Sequence, residues 1–123
     1  MISDQFFVEG TWDGFYTYYF TGNTQHPMPS YFSFGESIIS GNGTDDISSF
    51  TWAGVYNESG KVKMVKSYSS HKVLYLGDID ENGIWGTWDI DGIKGGFHLW
   101  PKKAESIEEV NVEARKNVMT NEA

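Results

Sequence analysis

A chain of 123 residues with 17 acidic and 9 basic side chains, for a net charge of −8, is long enough for one well-cored domain and repels phosphate backbones and anionic membranes. It has no cysteine, which excludes disulfides and thiolate metal sites, and no apolar run of the roughly 18 residues that a membrane helix needs. Aromatic residues make up 16% of the chain and 14 residues are glycine, a balance suited to many strands joined by tight turns.

The opening MISDQFFVEG lacks the basic start and apolar core of a signal peptide, so a soluble cytoplasmic protein is expected, with neither nucleic-acid nor membrane partners. From Gly10 to Pro101 the pattern alternates with period two. GTWDGFYTYYF, Gly10 to Phe20, reads as a first strand, and the loop TGNTQHPMPS follows, its prolines arguing against a central strand. YFSFGESIIS reads as a second strand and ISSFTWAGVY as a third. KVKMVKSYS, KVLYLGDI, IWGTWDI and KGGFHLW complete seven, and QFFV near the start is available as an eighth. Gly60, His71, Asn82 and Gly92 mark turns ten or eleven residues apart, and Asp91-Gly92 is the signal of a type I′ hairpin. The expected fold is all-β: an antiparallel up-and-down meander of about eight strands over residues 1–103, closed into a small barrel because closure removes unpaired edges. In residues 104–123 the pattern changes. Ile107, Val110, Ala114 and Val118 recur at helical spacing after a Ser106/Glu109 capping box, which predicts a short C-terminal helix or tail.

Period two also sorts the faces. Trp12, Tyr16, Tyr18 and Phe20; Phe32, Phe34, Glu36 and Ile38; Trp52 and Tyr56; Val62, Met64, Lys66 and Tyr68; Tyr75, Trp88 and Phe97 fall on the inner one. Two charges in that set, Glu36 and Lys66, require partners or water, because an isolated buried charge costs several kcal/mol. Either both sit near strand ends, or they flank a polar pocket with Tyr16, Tyr18, Tyr68 and Tyr75. Phe15, Tyr19, Val65, Leu74, Leu76, Trp85 and Trp100 fall outside, an apolar surface that the C-terminal helix or a second copy would cover. A homodimer through Leu74, Leu76, Trp85 and Trp100 is therefore expected.

Gly10-Thr11-Trp12 opening an antiparallel meander resembles the calycin group: lipocalins, fatty-acid-binding proteins and avidins. In that group a Gly-x-Trp starts the barrel and the Trp packs against its closed end. The resemblance implies a barrel whose mouth binds a small molecule, and Tyr18, Trp52 and Trp88 are positions that an avidin-like role would use. The candidate ligand-binding set is thus Tyr16, Tyr18, Glu36, Trp52, Lys66, Tyr68, Tyr75 and Trp88.

Catalytic and metal chemistry find little in the pattern, and no cofactor is expected. His26, His71 and His98 lack the short spacing of a zinc site. GESIISGNG lacks the Lys and Ser/Thr of a phosphate loop. Asp45-Asp46 reads as turn chemistry. DIDENGIWGTWD places Asp78, Asp80, Asn82 and Asp89 at calcium-loop positions, but its flanks are strand-like, so a hairpin at Asp80 to Gly83 is expected instead. Three functions follow in order: binding of a small, largely apolar ligand in the barrel mouth, an interaction or structural module acting through the outer aromatic patch, and an enzyme using Glu36 or His71 as base.

Overall fold

The computed structural model describes residues 4–102, so the expected C-terminal helix lies outside the described residues. Nine strands form one antiparallel sheet: β1 (Gly10–Tyr16), β2 (His26–Pro27), β3 (Ser30–Gly35), β4 (Ile38–Thr44), β5 (Ser49–Tyr56), β6 (Lys61–Ser67), β7 (Lys72–Asp80), β8 (Gly83–Ile90) and β9 (Ile93–Pro101). Consecutive strands from β3 to β9 pair as a meander, and β1 joins both β3 and β9. Its pairing with β9, from Trp12 opposite Pro101 to Tyr16 opposite Phe97, closes an eight-stranded barrel. Short β2 runs along the remainder of β1, with Phe15 opposite Pro27. There proline's missing N–H costs no ladder bond.

Most of the barrel is written in local turn chemistry. Asp91 and Gly92 both take positive φ, 50° and 87°, as a type I′ turn demands. The Asp80 carboxylate caps the next turn back by accepting the Asn82 amide at 2.8 Å, and Asp80 pairs with Gly83 across the hairpin. That hairpin separates the calcium-loop positions. Asp78 pairs with Lys61 at 2.6 Å, whereas Asp89 lies near the other end of β8 and binds the Gly92 amide.

Three expectations are corrected. YFSFGESIIS is two strands: Glu36 and Ser37, at φ 51° and 68°, form a turn that carries β3 into β4. The turn breaks the alternation, so Ile39 is buried, Ile38 is exposed, and Glu36 projects into solvent. QFFV forms no strand. Asp4–Phe6 is a 3-10 turn, and Phe7 stacks on Tyr56 at 4.3 Å, covering one barrel end. The eighth strand therefore comes from the split. Finally, β1 stops at Tyr16, and Phe20 lies in a 3-10 turn at 72% exposure, outside the core.

The interior is filled. Trp12, Phe32, Met28, Met64, Ile84 and Leu99 are wholly buried. Trp12 packs against Phe32 and Phe34 at the covered end and donates its indole N–H to the Val8 carbonyl at 2.7 Å. Glycine also makes room for Trp88, the inward Trp of β8, and does so from the paired strand β9. A Cβ on Gly95 would lie 2.5 Å from the Trp88 indole nitrogen, whereas one on Gly86 would strike the Leu76 carbonyl. Among the described residues no helix is long and apolar enough to cross a membrane.

Candidate functional site

At the end opposite Phe7 and Tyr56, the strands place a single cation in an aromatic shell. Lys66 points inward from β6, beside Trp52 on β5 and Val73 on β7, and is 1% exposed. Its ammonium nitrogen lies 4.4 Å from the ring centre of Phe50, 4.6 Å from Tyr16, 5.2 Å from Tyr68, 5.6 Å from Tyr75 and 5.8 Å from Trp52. Met28 drops into the barrel from the segment between β2 and β3, with its sulfur 3.6 Å from that nitrogen. Ring faces stabilise a desolvated cation through their quadrupoles, but they do not neutralise it.

Neutralisation comes from the β4–β5 loop. One oxygen of Asp45 accepts the Ile47 and Ser48 amides at 2.8 and 3.2 Å, which folds the loop over the barrel end. Its other oxygen accepts both the Lys66 ammonium and the Tyr68 hydroxyl. The next residue repeats the arrangement. Asp46 accepts the Tyr16 hydroxyl at 2.5 Å, and its second oxygen lies 2.7 Å from Nδ1 of His26, whose ring stacks on Tyr16. Each aspartate thus ties the loop to an inward tyrosine.

These contacts set the protonation states. Burial pushes the Tyr16 and Tyr68 phenols well above the ordinary tyrosine range, and their aspartate partners push the same way. Burial likewise raises Tyr75. Burial raises Asp45 too, but hydrogen bonds from Lys66, Tyr68 and the Ile47 amide outweigh it and hold the carboxyl below its usual range. Asp46 is held low in the same way by Tyr16 and His26, against the effect of its own partial burial. Burial lowers the Lys66 ammonium, and Asp45 offsets part of that.

Acid should therefore loosen this end first. A carboxyl whose folded pKa is depressed contributes stability that is complete above its unfolded value and is lost as pH falls through the folded one. Melting temperature followed from pH 7 to pH 2 is expected to drop most steeply below about pH 4, the ordinary carboxylate range. Asp46→Asn should flatten that drop, and an unchanged slope would contradict the assignment.

Above Lys66 the barrel opens into a cavity of about 180 Å³, lined by Tyr16, Tyr18, Tyr68, His71, Tyr75 and Trp88 with Ile47, Val73, Ile90 and Ile93. Seven of the eight candidate residues lie here: Tyr16, Trp52, Lys66, Tyr68 and Tyr75 in the shell, Tyr18 and Trp88 at the mouth. Glu36 does not. It sits in the β3–β4 turn at the far end and shares no pocket with Lys66 or His71. His71 is at the mouth, its ring 4.6 Å from Tyr68 and its Nδ1 2.8 Å from the Ser70 hydroxyl. The residues that pattern reasoning missed are Asp45, Asp46, Met28 and His26. Among the described residues no three His, Asp or Glu side chains converge to hold a metal ion. No protein-family description, curated protein or solved structure matches the chain.

Proposed function

We propose that this barrel is a binding protein for one small ligand, seated in the mouth above Lys66. The observation that carries it is the size and lining of the mouth cavity: about 180 Å³ of mostly aromatic and aliphatic wall over a filled core. A dry cavity of roughly 150 Å³ accommodates benzene, whereas drug-sized ligands need about 300 Å³ or more. The ligand is thus one ring or its equivalent in bulk, and a long acyl chain has no room below. The Gly10-Thr11-Trp12 opening and the meander add the calycin likeness, which favours the same end of the barrel. The buried phenols are pushed up and the carboxylates down, away from the neutral range that suits a proton-transfer group, while Lys66, which burial pushes down, is engaged by Asp45 beneath the mouth.

A ligand-observed NMR screen of single-ring fragments tests this. Fragments are expected to bind the wild type, and Ile93→Trp, which fills the mouth from an exposed position on the β8–β9 hairpin, should weaken them about tenfold or more. Binding that ignores Ile93→Trp would place the ligand elsewhere, and a screen without binders would remove the reading.

A second reading is an interaction module working through the outer wall as a homodimer. It is supported by a contiguous outer strip: Trp85 sits opposite His98, which sits opposite Phe15, while Trp100 packs on both Phe15 and His98. Leu76 and Trp85 are 46% and 42% exposed. Sedimentation equilibrium is then expected to show a dimer that Trp85→Ser dissociates, and a monomer at all concentrations would dismiss it.

A further inference from the structure

The walls of the mouth have a specific geometry. Tyr16, Tyr18 and Trp88 meet pairwise at 73°, 85° and 89°, with ring centres 5.2 to 6.2 Å apart. Three nearly perpendicular rings make a corner, and a group seated in it meets aromatic surface from several sides, although His26 and Lys66 already lie over the Tyr16 ring. Three of the polar groups lining the mouth are already engaged. The Tyr16 hydroxyl donates to Asp46, the Tyr68 hydroxyl to Asp45, and the Trp88 indole N–H to the Thr17 carbonyl at 2.9 Å. They leave an anion no donor at those positions.

Charge points the same way. Lys66 and Asp45 offset each other, and the remaining formal charge of the trio is the Asp46 carboxylate, half-exposed and hydrogen-bonded to Tyr16 and His26. The chain as a whole carries −8, so its long-range field draws in cations. The barrel also contains its own precedent. Tyr16, Tyr68 and Tyr75 line the mouth cavity, and the same three rings flank the Lys66 ammonium buried beneath it. One set of rings therefore already holds a cation stripped of water.

We propose that the ligand of the mouth is an organic cation, an alkylated ammonium whose apolar methyl or ring groups fill the aromatic corner of Tyr16, Tyr18 and Trp88. This rests on the mouth-binding reading above and names its ligand class. The preference over a neutral molecule of equal shape arises from cation–π attraction, with the Asp46 carboxylate behind Tyr16 adding its field rather than a contact, and with no covalent step.

Choline and its neutral isostere 3,3-dimethyl-1-butanol separate the possibilities on the unmodified protein. Each is titrated at constant ionic strength while amide shifts or tryptophan fluorescence is followed. Choline is expected to bind about tenfold tighter or better, the scale of a desolvated cation–π contact. Asp46→Asn should narrow that ratio, and Ile93→Trp should abolish binding of both. If the neutral isostere binds as well as choline, the cation inference fails while mouth binding stands. If neither binds and ring fragments do not either, both fall. A choline preference that survives Ile93→Trp overturns the assignment to this corner. The comparison of the two probes needs no variant, so a poorly folding Asp46→Asn leaves it decisive.

Discussion

Asp45→Ala is expected to destabilise the barrel by about 3–5 kcal/mol, the cost of leaving a buried charge without its partner. The magnitude is unusual for a loop residue, since surface substitutions commonly stay within about 0.5 kcal/mol. It follows from where the side chain ends. The Asp45 carboxylate is 0% exposed and is the only carboxylate, among the described residues, within bonding distance of Lys66. Its removal also deprives the Tyr68 hydroxyl of its acceptor and the Ile47 and Ser48 amides of theirs. The aromatic shell softens the loss but cannot replace a counter-charge.

Lys66→Met should cost less than Asp45→Ala. Methionine has similar bulk and suits an aromatic shell that already includes Met28, and the abandoned Asp45 can swing to water on its loop. Asp45→Ala combined with Lys66→Met should then recover much of the loss, because no buried charge remains. Urea denaturation of the four proteins gives the coupling directly. An Asp45→Ala cost below about 1 kcal/mol, the range of exposed pairs, would mean that the pair is solvated in solution.

The pair also shows where local pattern stops being informative. Period two places Lys66 inside, together with Tyr16, Tyr68, Tyr75, Trp52 and Trp88, because each lies in a strand, or in the case of Tyr68 directly after one, bounded by declared turns such as Asp91-Gly92. The same pattern puts Glu36 on the inner face, either near a strand end or beside Lys66 in a polar pocket, and the pocket alternative fails for a definite reason. Glu36-Ser37 is a positive-φ turn without the Asn or Gly that usually announces one, so the alternation was carried through it unbroken. Asp45 and Asp46 were legible as turn formers, and Asp45 is one. Nothing local to a loop says that it folds inward over a barrel end. The usable signal was chemical: an inward lysine demands a carboxylate, and the acidic loops next in space to its end of β6 were the places to look. Met28 was hidden similarly, between two prolines that argued for a loop and did not reveal that its side chain fills the core.

Trp12→Ala is expected to cost about 3–5 kcal/mol, the range for removing a large buried aromatic side chain and leaving a cavity. Trp12 is wholly buried and packs on Phe32 and Phe34, beneath the cover that Phe7 and Tyr56 provide. Its neighbours are held by the β1–β3 and β1–β9 ladders, so the gap cannot collapse freely. Small domains have about 5–15 kcal/mol in total, so this one truncation threatens the fold at physiological temperature. Trp12→Phe separates the contributions. It keeps part of the packing but loses the indole N–H that Val8 accepts, and with it the tie holding the N-terminal segment over the barrel end. Its expected signature is a milder loss in global stability, together with faster hydrogen exchange and proteolysis in the segment preceding β1. The mouth lies at the opposite end. Ligand affinity measured on the folded fraction should therefore be unchanged in Trp12→Phe. An equal fall in stability and affinity would mean that the two ends are coupled through the filled core, which its rigid packing would allow only if Trp12 repositions the rings around Lys66.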